Sequence, residues 1–456
     1  MKKVVPPLPP DWGAVEQLEK SLPPVALQRI ESAVGRIVEA KQRGGKVVVV
    51  TGSGPNIHEG VTTLVAELMR AGIVDGVTTS SAVVAHEMAG VLDRVKRVDG
   101  REAGVAESLL PHGGAFELTE MIGPALAKLG EESALDEGLI ERLGQAQGRS
   151  VIKAAGNLGY PMGLHIERLA QVVLRLAKER GESFEKVAGL GADERTMLGA
   201  GARARVPVLV TIPQLVGGGA VGLAIGDSLS VSERSTRLAG MLGEADVIIE
   251  SAVALTQEIH DGPFETHTGH GMWAAWEGQP TWSLEGRTIV RIDLDPALEK
   301  VWQAERDDKR VQAAINFGRP KTKQFEVPFR MEMSGFARLE GSLAVTGDIG
   351  VVWPVMARRL TRALGVELGF VSHPQDTALG QSMRDWIASG CSRCWGERLW
   401  LSFWLLFGAD PATTGGVFST PSRCLLSASS ADCWPVSCFA FVFTAAACWT
   451  RRGRCC

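Results

Sequence analysis

Residues 46–90 switch hydrophobic period in a repeating way. Val47, Val48, Val49 and Val50 form an unbroken apolar run that ends in Thr51. Such a run, apolar on both sides, suits a central strand of a parallel sheet. Gly52, Gly54 and Pro55 break it, and Val61, Leu64, Val65, Leu68 and Met69 then recur on one helical face. Gly72 closes that helix, residues 73–77 read as a second strand, and Thr78, Thr79, Ser80 and Ser81 lead into another helix. Strand, loop, helix, repeated, predicts an α/β fold: a Rossmann-like parallel sheet flanked by helices. Both loops fall at strand carboxyl ends, where open α/β sheets bind ligands.

The same reading extends along the chain. Leu27, Ile30, Val34 and Ile37 stripe a helix over residues 25–40. Residues 91–111 are charged and glycine-broken, which predicts surface loop and short helix. Helices are expected over 115–129, 135–143 and 165–180, with a loop around Tyr160. Residues 184–190 suit either a helix or a strand, and Asp193 is placed to cap a helix running to Arg203. An apolar strand over 206–212 precedes Gly217, Gly219 and Gly222, which satisfy G-x-G-x-x-G. In a dinucleotide fold such glycines admit a pyrophosphate, and an acidic residue ending the next strand binds ribose. Glu250, at the end of a strand over 247–250, has that place. A further strand is expected over 288–294, a loop or short strand over 341–349, and a helix over 351–364.

Composition changes the picture mainly at the end of the chain. Over 456 residues the formal charge is -4 with mixed signs, which gives no reason to expect a nucleic-acid partner. The start, MKKVVPPLPPDW, lacks the apolar stretch of a signal peptide, so a cytoplasmic protein without a membrane partner is expected. All eight cysteines lie between Cys391 and Cys456, the last lysine is Lys323, and no hydrophobic period persists in this tail. The pair Cys391 and Cys394 is half a zinc site, and the apolar runs are too short to span a membrane. The tail reads as out-of-frame translation. The organisation expected is an arm and helix over 1–45, an α/β domain over 46–372 and a non-native tail over 373–456.

Candidate chemistry falls into two groups. Thr51, Gly52, Ser53, Gly54, Thr78, Thr79 and Ser80 place hydroxyls and open backbone at two neighbouring strand ends, suited to ribose or phosphate. The alternative for the hydroxyls is turn and cap chemistry. Residues 251–278 hold His260, His267 and His270 beside acidic residues and tryptophans, the material of proton transfer near neutral pH. Their spacing is not a metal-ligand pattern, and no metal is expected. His58 and His86 flank the two opening loops.

The order of these blocks resembles deoxyhypusine synthase and its bacterial relatives. The resemblance rests on Thr51-Gly52-Ser53, Val74-Asp75, Val77-Thr78-Thr79, the glycine-rich turn ending in Gly226-Asp227, and the strand ending at Glu250. It implies an NAD-binding fold, assembly as a homo-oligomer (a tetramer in that family), and Asp227 as a substrate-binding aspartate. The departures are as informative. The imine-forming lysine of the family has no counterpart, since Trp302 is followed by Gln303 and Ala304. Thr256 and Gln257 replace a Lys-His pair, and Val84, Ala85 and His86 replace acidic residues. A covalent imine mechanism needs a deprotonated lysine amine in the site. The expectation is therefore an NAD-dependent enzyme acting on a small polar substrate, amine-bearing compounds included, but not deoxyhypusine synthesis. Asp227, His260, His267 and His270 would carry the catalysis. A non-catalytic nucleotide-binding protein and a metal-assisted hydrolase or transferase are the alternatives.

Overall fold

The computed structural model describes residues 9–89, 93–110, 112–119, 137–153, 161–211, 213–214, 218–252, 284, 286–306, 309, 313, 316–318 and 341–389. Two compact units divide the chain, Met1–Phe403 and Trp404–Cys456, and the second lies wholly outside the described residues.

Six strands form one parallel sheet: β1 (Val47–Thr51), β2 (Gly76–Thr79), β6 (Val208–Val210), β7 (Val247–Ser251), β8 (Thr288–Asp293) and β9 (Leu343–Thr346). Their order is β6-β2-β1-β7-β8-β9. The chain walks outward from β1 through β2 to β6, returns to β7 on the other side, and walks outward again. That order is the doubly wound pattern, with its reversal between β1 and β7. The fold is a Rossmann-type α/β sheet. A second, antiparallel sheet is inserted between β2 and β6, in the order β4-β3-β5: β3 (Asp93–Asp99), β4 (Ala115–Thr119) and β5 (Arg149–Lys153).

The helices are α1 (Trp12–Glu19), α2 (Pro24–Gln42), α3 (Ser53–His58), α4 (Val61–Arg70), α5 (Ser81–Ala89), α6 (Glu137–Gln145), α7 (Pro161–Arg180), α8 (Phe184–Gly191), α9 (Met197–Ala204), α10 (Gly219–Ser228), α11 (Val231–Gly243), α12 (Ala297–Arg306), α13 (Ile349–Leu364) and α14 (Ala378–Ser389). Residues of β1 alternate between two cores. Val47 and Val49 join the larger one with Ile30, Leu64 and Trp353, while Val48 and Val50 join the smaller with Leu242 and Trp302. Burial on both faces explains the unbroken valine run.

Several expectations change. Residues 115–119 form β4 rather than a helix, and 93–99 form β3 rather than a loop, because each pairs across the antiparallel sheet, Val98 with Phe116 for example. Thr196, not Asp193, caps α9, its hydroxyl accepting from Gly199 N at 3.0 Å. Asp193 instead clasps Arg195. Val15, Ile30 and Ile37 are fully buried in the same core as β1, so residues 12–42 belong with the sheet rather than to a separate arm. Coherent structure also continues past residue 372. α14 buries Met383 and Ile387 in the larger core, and Trp386 stacks on Phe370 with ring centroids 5.3 Å apart. The arm at 1–8 and the tail from residue 390 lie outside the described residues.

One buried ion pair finishes the sheet at its β6 edge. Glu185 of α8 accepts from Val210 N at 2.7 Å, and Arg234 of α11 donates to Val210 O at 3.0 Å. The two side chains pair with each other while almost wholly buried. Together they satisfy the donor and the acceptor that an edge strand would leave open. Replacing one partner strands the other charge in the interior, which costs about 3–5 kcal/mol. Arg234→Met should therefore lower the urea midpoint by a corresponding amount, measured by circular dichroism.

Candidate functional site

The crevice defined by the reversal lies where β1 and β7 end. Thr51 is in register with Ser251, and Thr78 with Val50, so Thr79, Thr51 and Ser251 stand side by side on three neighbouring strands. All three are fully buried. Ser251 is held by a network: its hydroxyl donates to Asn56 Oδ1 and accepts from Trp353 Nε1 at 2.8 Å. Asn56 Nδ2 in turn donates to Gly52 O at 2.6 Å and Ser251 O at 3.2 Å. One amide side chain thus ties the turn leaving β1 to the end of β7. Thr51 Oγ1 and Thr79 Oγ1 have no hydrogen-bond partner among the described residues.

The hydroxyls after β2 are used differently. Thr78 Oγ1 lies 2.7 Å from Thr211 Oγ1, linking the ends of β2 and β6. Ser81 Oγ accepts from Gln214 N at 3.0 Å and donates to Gln214 O at 2.9 Å. Ser80 Oγ faces Val83 N at 3.4 Å, in the first turn of α5. Ser80 thus stands where a helix cap would, whereas Ser81 ties the start of α5 to Gln214.

Two glycines of the glycine-rich segment sit in close packing. A side-chain carbon at Gly222 would fall 1.8 Å from Gln214 O, and one at Gly218 would fall 2.6 Å from both Gln214 O and Ser81 Oγ. Those positions are glycine so that α10 can pack closely on Gln214 and Ser81. Gly219 opens α10 with φ 53°, and Gly217 lies outside the described residues.

Asp227 lies in the last turn of α10, eight residues beyond Gly219 and so about 12 Å along the helix away from the strand ends. Its side chain is 69% exposed and pairs with Lys178 at 3.3 Å. Glu250 does reach the reversal, beside Val50, but it is buried against Arg291 of β8, with Nε 3.6 Å from the carboxylate. His260, His267 and His270 lie outside the described residues. Among the described residues no three His, Cys, Asp or Glu side chains group as metal ligands, and no helix is long and apolar enough to cross a membrane.

Comparison with known proteins is consistent only at the level of coarse shape. No family model matches the chain, and no curated protein does. AgrE, solved as a ternary complex with ornithine and NAD+, is 14% identical with a TM-score of 0.35, over 78% of this chain and 34% of AgrE. ArgZ, an arginine dihydrolase from the ornithine-ammonia cycle in cyanobacteria, is 14% identical with a TM-score of 0.36, over 75% of this chain and 32% of ArgZ. A conserved LOR/SDH protein from Methanococcus maripaludis S2 is 12% identical with a TM-score of 0.32, over 79% of this chain and 71% of that one. The chain spans about a third of the length of AgrE and ArgZ. None of these three is a deoxyhypusine synthase, and the fold assignment stands on the sheet itself.

Residues that the sequence did not single out complete the site's frame: Asn56, Ser251, Trp353 and Arg291. Of these, only Ser251, directly after the flagged Glu250, carried a local signal. Two titratable neighbours on α5 add a pH signature. Burial, and then nearby His58, lower the His86 imidazole from 6.5 to about 3. Burial raises the Glu87 carboxyl from 4.5 to about 7, against two amide bonds from Met197 N and Leu198 N at 2.9 Å each.

The signs are opposite. The unfolded chain takes up a proton at His86 below pH 6.5 that the native protein refuses until about 3, so stability falls as pH drops through that window. The native protein keeps the Glu87 proton up to about 7 while the unfolded chain loses it near 4.5, so that contribution is lost as pH rises between them. His86→Phe should flatten the acid limb of a stability-against-pH curve. Asn56→Ala should cost about 1–3 kcal/mol, the penalty of leaving buried partners unsatisfied, measured by urea denaturation.

Proposed function

We propose that the chain is an NAD-dependent enzyme acting on a small polar, amine-bearing substrate, with the dinucleotide seated over the ends of β1 and β7. The observation that carries this reading is the strand order, β6-β2-β1-β7-β8-β9, which opens a crevice at the reversal point. The partnerless hydroxyls of Thr51 and Thr79 beside that point suit a polar ligand. Support for the cofactor comes from the sheet rather than from AgrE, whose likeness to this chain is coarse.

The first turn suits a nucleotide, since Gly52, extended at φ -164°, and Gly54 carry no side chains there. Gly217, Gly219 and Gly222 remain the second candidate segment for the dinucleotide. NAD, when bound, would accept or donate a hydride. The chain's own part is to fix the turn through Asn56, to hold Glu250 against Arg291 at the reversal, and to exclude water beneath α3. Proton transfer falls to a histidine, His260, His267 and His270 being the candidates from the sequence. The lysine needed for deoxyhypusine synthesis is absent, and Trp302, in the corresponding stretch, is buried in the smaller core. Membership of the deoxyhypusine-synthase-like family, a cytoplasmic location and assembly as a homo-oligomer belong to the same proposal.

A non-catalytic nucleotide-binding protein is the second reading, favoured by the displacement of Asp227 to an exposed helix end. Titration with NAD+ and NADH, followed by tryptophan fluorescence, should give saturable binding with a submillimolar Kd. No binding at millimolar concentration would sink both readings. Reduction of bound NAD+ on adding an amine or amino acid would select the enzyme.

A further inference from the structure

A cavity of about 370 Å³ lies between the start of α1, the segment before α14, and α14 itself. The core holds part of its lining in place. Phe370 and Met383 are buried, and Met383 packs so closely on Gly60 that a side-chain carbon there would fall 2.7 Å from its Sδ. Trp12 and Trp386, both half-buried, also line it, and Trp386 stacks on Phe370. Aromatic surface facing so large a space forfeits the dispersion contacts that a filled interior would make. A preformed, mostly apolar cavity with a few polar groups is the usual form of a small-molecule site.

Those polar groups limit what the cavity can take. Asp11 is exposed and caps α1 through one carboxylate oxygen, Oδ1 accepting from Ala14 N at 2.9 Å, so a negative charge stands at the cavity's edge. His373 is buried, and burial pushes its imidazole below the ordinary range against the opposing charge of Asp11, which leaves it neutral near pH 7. No lysine or arginine is among the described residues that line the cavity. Nearby Arg195, its guanidinium 5.3 Å from the Trp386 ring centroid, is engaged by Asp193 and by Trp386 O at 3.0 Å. A ligand carboxylate would therefore meet a like charge, whereas an ammonium would meet Asp11 beside aromatic rings, which attract cations.

We propose that this cavity is a second ligand site, which takes a small aromatic amine without a carboxylate, its ring among Trp12, Phe370 and Met383 and its ammonium at Asp11. The proposal stands apart from the cofactor reading and needs no NAD.

The test titrates the full chain, without NAD, by calorimetry at pH 7 with 2-phenylethylamine. Two compounds with the same ring serve as comparisons: 2-phenylethanol, which lacks the charge, and phenylalanine, which adds a carboxylate. The amine should bind at one site with a Kd below about 1 mM, and both comparisons about tenfold or more weakly. Asp11→Asn removes the charge and keeps the cap, because Asn caps as well as Asp. It should weaken the amine about tenfold and leave the alcohol unchanged. Ser382→Trp, at an exposed position of α14 that lines the cavity, should abolish binding of both. Thermal melts confirm that each variant is folded, and the selectivity of wild type needs no variant. No binding of the amine at about 10 mM, or phenylalanine binding as tightly as the amine, overturns the proposal. Amine binding unchanged in Asp11→Asn overturns the role of the carboxylate. Amine binding unchanged in Ser382→Trp puts the ligand elsewhere on the chain and overturns the site.

Discussion

The bridge made by Asn56 is the constraint on which the site depends. Where a parallel sheet reverses its winding, the chains leaving β1 and β7 diverge, and backbone groups at that point lose their ladder partners. Asn56 supplies them. Its amide reaches Gly52 O on one side and Ser251 O on the other, while its carbonyl takes the Ser251 hydroxyl. Trp353 of α13 closes the network from the core. The crevice is thus set by a rigid, buried frame, as precise positioning of a ligand requires.

Around that frame, polar groups sort into those that hold the protein together and those that remain for a ligand. Thr78, Ser81, Gly218 and Gly222 all serve the junction between β2, β6 and α10, while Ser80 faces the first turn of α5. Glu250 faces Arg291. At the reversal lie the turn that opens α3, with Gly52 and Gly54, and the buried hydroxyls of Thr51 and Thr79. The proposed site is centred there.

Much of the fold was legible because the relevant signal is local and strong. Val47–Thr51, the face of α4 and the glycine after it specify strand and helix without tertiary help. The failures have physical causes. β3, with its Asp-Arg-Val-Lys-Arg-Val-Asp sequence, is charged because it lies in a small antiparallel sheet, and charge suggested a loop. α14 was missed because it adjoins the cysteine-rich tail, and its place in the core depends on Met383 and Ile387 meeting distant Gly60, between α3 and α4. At the β1–β7 reversal, the hydroxyls could be placed by their position after strands. Asn56 could not, because its partner Ser251 lies 195 residues away in sequence. In the G-x-G-x-x-G segment, Gly222 records close approach to a backbone, and that backbone is the protein's own at Gln214.

The central claim is that ligand binds at the β1–β7 reversal, and hydrogen–deuterium exchange with and without millimolar NADH tests it most directly. The account predicts slowed exchange in peptides covering residues 52–58 and 250–252, with little change in those covering α10. Protection confined to α10 and the glycine segment before it, or no protection anywhere, would contradict it.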